Sequence, residues 1–118
     1  MHAEALNEVN NGPTAEALNS INAVRTRARN TEGNIANVLP DLEMTLNYQE
    51  FKDAILLERF KEFVWEGQRW FDLKRFDQFT QKIMEAKPDV SVNNDHMLFP
   101  IPQRERDINT NLTQNNGY

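Results

Sequence analysis

Residues 64–76 read VWEGQRWFDLKRF, four aromatics set among Glu66, Arg69, Asp72, Lys74 and Arg75. Upstream, Leu56, Phe60, Phe63, Val64, Gly67, Trp70 and Phe71 recur at i, i+3 and i+4. That is the period of an apolar helix stripe, and it is the strongest periodic signal in the chain. After Phe71 the stripe changes phase to Leu73, Phe76, Phe79 and Ile83. Glycine inside a helix costs about 1 kcal/mol against alanine, so a bend or two abutting helices is expected near Gly67. The region begins near Tyr48 and is closed by Pro88. No convincing strand pair accompanies it, and the fold class expected is mainly α.

Glu66, Arg69, Asp72 and Arg75 are each three residues apart, which on a helix makes a ladder of alternating charge. Arg59 and Glu62 extend it backward. Exposed pairs contribute roughly 0–1 kcal/mol each, whereas partly buried Arg-carboxylate forks help fix a unique register. The crowding aromatics favour partial burial. The ladder is therefore read as a structural polar clamp, with Arg69 and Asp72 its main members. Arg69→Ala is expected to cost more stability than Lys82→Ala. The rival reading, a carboxylate-based hydrolase using Glu66 and Asp72, is weakened by the arginines, which neutralise both acids rather than raise one.

Outward from this region, His2 to Val9 reads as a helix with Ala5, Leu6 and Val9 on one side. Asn11-Gly12-Pro13 gives a stop and a restart, with Gly12 suited to a left-handed turn and Pro13 to a first helical turn. Thr14 to about Arg29 carries Ala17, Leu18, Ile21, Val24 and Ala28 at helical spacing. Residues 1–29 thus form a tetratricopeptide-like helix pair, residues 30–47 a connector, and residues 48–87 the helical region. Residues 88–118 hold a polar loop, an extended apolar stretch kept from helix by Pro100 and Pro102, one helical turn at Gln103–Asp107, and an irregular tail.

At 118 residues the chain is at most one domain. Its net charge of −5 argues against a nucleic-acid partner, which needs a basic footprint. The absence of cysteine excludes thiolate chemistry and disulfides. No apolar run approaches the roughly 20 residues that span a bilayer. His2 and His96 are too few for zinc, and Glu58 and Glu62 lack the His partner of a di-iron site, so no metal and no cofactor is expected. Glu58 and Glu62 are read as a solvated edge. Arg25, Arg27 and Arg29 are read, with Arg104 and Arg106, as parts of mixed solvated faces. Trp65 and Trp70 are candidates for stacking on a sugar ring. Trp70 lies on the stripe and is expected in the core, while Trp65 lies off its centre. Asn111-Leu112-Thr113 matches a glycosylation acceptor, read as chance.

Taken together, these segments resemble the C-terminal part of the SusD/RagB family of outer-membrane nutrient-binding lipoproteins. Ala3-Glu4-Ala5-Leu6 through Ile21-Asn22-Ala23-Val24-Arg25-Thr26-Arg27-Ala28 is similar to that family's last helix pair, with its AEAL and INxVRxRA patterns. Leu39-Pro40-Asp41-Leu42 resembles the following connector. Glu58-Arg59 and Glu66 to Arg75 resemble its ER and EGxRxxDLxR elements. Leu98-Phe99-Pro100-Ile101-Pro102 and Gln114 to Tyr118 resemble its LFPIP and QNPGY elements. Arg29 stands where glycine is usual, Asn116 where proline is usual, and Asn30 to Val38 look inserted.

The resemblance implies a non-catalytic protein at the cell outer membrane, lipid-anchored and surface-exposed. It implies a glycan or other nutrient as ligand and a TonB-dependent, SusC-like transporter as partner. It also implies that this chain is a piece truncated at its N-terminus. Most glycan-binding residues would then lie elsewhere. Leu6, Leu18 and Ile21 are expected to lack their usual partners, so that the isolated chain self-associates. The alternative is a freestanding helical interaction module, for which one helix pair offers little groove.

Overall fold

The computed structural model describes residues 1–29 and 39–118. The insertion expected over residues 30–38 lies outside them. The described residues are helical, without a strand: α1 (His2–Asn10), α2 (Ala15–Arg29), α3 (Tyr48–Glu62), α4 (Arg69–Arg75), α5 (Phe79–Ala86) and α6 (Gln103–Ile108), with a 3-10 turn at Asn94–Met97. They divide into two compact units, Met1–Val64 and Trp65–Tyr118.

In the first unit, α1 and α2 form the expected hairpin. The turn differs in detail. Asn11, not Gly12, takes the left-handed conformation at φ 51°, which asparagine tolerates, and the Gly12 amide closes back on Asn7 O at 3.1 Å. Pro13 precedes the helix rather than opening it. Thr14 is the cap, its hydroxyl accepting from the Ala17 amide at 3.1 Å. The inward face of α1 is also rotated from the one expected. Ala3 and Asn7 are buried while Val9 is 82% exposed. Ala3 and Asn7 are four residues apart on one ridge, and the small Ala3 allows close approach. Burial of Asn7 is partly compensated by its Nδ2 donating to Tyr48 O at 3.2 Å, while its Oδ1 is buried without a partner among the described residues.

Leu18 and Ile21, expected to lack partners, are buried with Ala17 in this same unit. Phe51, Ile55 and Leu56 of α3 are buried in the same unit. Helix α3 starts at Tyr48 because Asn47 and Glu50 form a reciprocal capping box, with bonds of 3.0 and 2.8 Å.

The long stripe does not make one helix. Between α3 and α4, Trp65 and Gly67 both have positive φ, 71° and 73°. Gly67 adopts this freely; for tryptophan it is uncommon. The stripe residues Phe60, Phe63, Val64 and Phe71 are exposed to varying degrees rather than forming a core line. In the second unit, α4 ends with Asp77 at φ 57°, and the Gln78 amide closes on Leu73 O at 2.9 Å. The core here is Leu73, Phe76 and Phe79. Helix α6 matches the single turn expected after Pro102.

Candidate functional site

Helix α2 and the Leu39–Leu42 segment make the most densely bonded polar constellation of the first unit. Asn22, Arg25 and Arg29 occur at i, i+3 and i+7 and so share one face of α2. Each holds the main chain of that segment. The Asn22 side chain donates to Leu42 O at 3.0 Å and accepts from Leu42 N at 2.8 Å. Arg25 donates twice to Pro40 O, from Nε at 2.8 Å and Nη2 at 2.6 Å. Arg29 donates to Leu39 O at 2.7 Å and pairs with Asp41 at 2.7 Å. A proline-containing segment cannot satisfy its carbonyls in a helix, so side-chain donors take that task.

Behind Arg25 stands Glu58. Arg25 Nη1 meets Glu58 Oε2 at 2.7 Å, and the two residues are 7% and 5% exposed. This corrects two readings. Glu58 is a buried counter-charge and not a solvated edge, and Arg25 is no part of a solvated face. Glu62 also has a partner, Arg27. Helical periodicity does not register these pairs, because partners 33 and 35 residues apart meet only through tertiary packing. The signal available was the i, i+3, i+7 placement of three long polar side chains beside a Leu-Pro segment.

Helix α1 is tied to α3 by a second polar group. Tyr48 Oη donates to Glu8 at 2.7 Å, and Lys52 Nζ reaches Glu8 at 2.9 Å and Tyr48 Oη at 3.1 Å. These bonds, first that of Tyr48 and then that of Lys52, hold the Glu8 carboxyl below its ordinary value. The same carboxylate, followed by the Tyr48 hydroxyl, raises the Lys52 ammonium.

The ladder 66-69-72-75 is distributed otherwise than a continuous helix would place it. Glu66 precedes α4 and is exposed. Arg69 opens α4, half-buried; burial lowers its guanidinium pKa, and the Asp72 charge opposes that shift. Asp72 is 4% exposed and accepts from Arg75 at 3.0 Å. The extension to Arg59 and Glu62 is interrupted by the turn at 63–68.

The LFPIP and tail residues meet in the second unit. Gln114 donates to Ile101 O at 3.0 Å and accepts from Ile101 N at 2.7 Å. Asn115 Nδ2 donates to Phe99 O at 2.6 Å, and Tyr118 Oη to Leu98 O at 3.0 Å. Lys74 of α4 donates to Met97 O at 2.5 Å. Trp70 stacks on Phe99, with centroids 5.1 Å apart at 18°, and meets the edge of Phe79 at 4.6 Å. Trp70 is thus a packing residue with one ring face already covered. Trp65 is 99% exposed, and among the described residues no ring packs on it. Among the described residues no group of acidic or histidine side chains is arranged to hold a metal ion.

Asn22, Arg25 and Arg29 of α2, and Gln114, Asn115 and Tyr118 of the tail, thus anchor main chain within their own units. The profile described as the SusD family (SusD_RagB) matches residues 1–118. The chain belongs to the SusD family. SusD-like protein P2 of Formosa agariphila is 36% identical over 121 residues, covering 98% of this chain and 23% of that protein. SusD-like protein P38 of the same organism is 33% identical, covering 100% and 22%. A crystal structure of a SusD homolog from Bacteroides thetaiotaomicron superposes with a TM-score of 0.79 at 34% identity, covering 98% of this chain and 24% of that one. The chain therefore spans about a quarter of the length of these SusD relatives, and its helical architecture is that of the solved homolog.

Proposed function

We propose that this chain is the C-terminal scaffold portion of a SusD-type protein that captures a nutrient, an oligosaccharide by preference, at the outer-membrane surface. The complete protein delivers the ligand to a TonB-dependent transporter and makes or breaks no bond. The observation that carries this reading is the family match across residues 1–118 together with the fold agreement with the SusD homolog. The chemistry is consistent with it. Asp72 is engaged with Arg75 and Glu58 with Arg25, so two of the buried acids serve as counter-charges rather than as a poised acid/base pair. Among the described residues no helix is long and apolar enough to cross a membrane; membrane association would rest on a lipid anchor.

The test of delivery is co-purification. The longest open reading frame containing this chain is expressed in its native host with an affinity tag after Tyr118, and membranes are extracted in mild detergent. Recovery of a TonB-dependent barrel in near-stoichiometric amount is expected. Recovery of the tagged protein alone, from the soluble fraction, contradicts the proposal.

A further inference from the structure

We propose that the cleft between the 94–98 segment and the tail at 113–116 is a saccharide subsite. The inference rests on the nutrient-binding reading above and places one contact of that ligand on this chain. The cleft has a volume of about 290 Å³ and is lined by Asn94, Asp95, Leu98, Thr113, Gln114, Asn115 and Asn116. Small-molecule sites begin at about 300 Å³, so the space suits one sugar unit of a longer chain rather than a whole oligosaccharide.

Its walls are fixed from behind. Gln114 is spent on both polar groups of Ile101, and Asn115 Nδ2 on Phe99 O. Asn93 braces Asp95, accepting from its amide at 3.0 Å and donating to Oδ2 at 3.3 Å. Gly117, at φ 89°, lies so close that a Cβ there would stand 2.9 Å from Asp95 Cβ. The Tyr118 ring, held through its hydroxyl to Leu98 O, stays half-exposed beside Leu98.

What remains unspent is a mixed set. Asn94 bonds through Oδ1 to Thr80 and retains its Nδ2 donors. Asn115 and Asp95 each retain an Oδ1 acceptor. Thr113 and Asn116 keep their side-chain polar groups free among the described residues. Amide donors interspersed with oxygen acceptors match vicinal hydroxyls, each of which both gives and takes a hydrogen bond. Leu98 offers an apolar wall to sugar C–H groups. The lining has no lysine or arginine and one carboxylate, which disfavours an anion. One carboxylate is also too few for a calcium-type site, which draws on several charged oxygens.

The test is an NMR titration of the isotopically labelled chain. Soluble hexasaccharides of glucose, xylose, mannose and galactose are added in turn, with glycerol and calcium chloride as controls. At least one hexasaccharide is expected to shift the side-chain amide signals of Asn94, Asn115 and Asn116 with saturation, and glycerol and calcium are not. The double variant Thr113→Ala, Asn116→Ala removes no bond that holds the fold. It should weaken binding about tenfold, as loss of two neutral hydrogen bonds implies, while signals elsewhere stay in place. Three results would overturn the proposal: no saturable shift with any hexasaccharide, equal binding by the double variant, or the same shifts from glycerol or calcium. Saccharide retention by the longer protein with these signals unmoved would overturn the subsite alone and leave the family-level function standing.

Discussion

Arg25 spends its guanidinium on two kinds of partner at once, the carbonyl of Pro40 and the carboxylate of Glu58. Removing one member of a buried pair leaves the other charge uncompensated, at a cost of about 3–5 kcal/mol. Arg25→Ala should therefore lower the melting temperature most in a series with Arg69→Ala and Lys82→Ala. Lys82 makes only a surface pair with Glu85 at 2.8 Å, worth about 0–1 kcal/mol. Arg69, half-buried in α4, should fall between. A melt in which Arg25→Ala equals Lys82→Ala contradicts the Arg25–Glu58 anchor, and one in which Arg69→Ala equals Lys82→Ala contradicts the clamp. Glu8 supplies a pH test. Its folded pKa lies below the ordinary 4.5, so its contribution is fully present above that value and lost as pH falls through the folded value. The Lys52 pKa is raised above 10.5, so its share is present below 10.5 and lost as pH rises through the folded value. The melting difference between wild type and Glu8→Gln should be constant across neutral pH and shrink as the pH falls below the ordinary 4.5. A difference unchanged by acid would show that the pair contributes nothing through charge.

At the scale of elements, the tail works as a clasp on the extended 98–102 segment, which Pro100 and Pro102 keep from helix. Gln114→Ala removes both bonds to Ile101 and leaves the Ile101 amide and carbonyl to water. Gly117→Ala meets Asp95 and a backbone angle that alanine resists. Each should cost about 1–3 kcal/mol, read by urea denaturation. If both variants melt with wild type, the clasp is ornamental. Much of this level was legible beforehand. The hairpin, the start at Tyr48, the weak point at Gly67 and the proline-bound stretch all follow from local rules of capping and backbone freedom. The phase of α1 and the partners of Arg25 and Glu58 did not, because which side of a helix turns inward depends on what lies across from it. Trp65 was placed off the stripe's centre, and it is exposed; its left-handed backbone went unread because apolar periodicity carries straight through a positive φ that only the folded chain reveals.

For the whole molecule, the chain covers about a quarter of its relatives' length. Leu18 and Ile21 are covered within their own unit, whereas Leu57, Val64, Trp65 and Phe71 stay exposed. A self-association of the isolated chain would draw on these, with the part-exposed Leu6, and not on Leu18 or Ile21. Affinity electrophoresis tests directly for binding without turnover. The protein from the longest reading frame containing this chain is run through gels carrying a panel of polysaccharides, and the same mixtures are assayed for new reducing ends. Retardation by at least one polysaccharide with no reducing ends released is the result predicted here. Release of reducing ends that disappears with Glu66→Gln, or mobility unchanged by every polysaccharide, would contradict it.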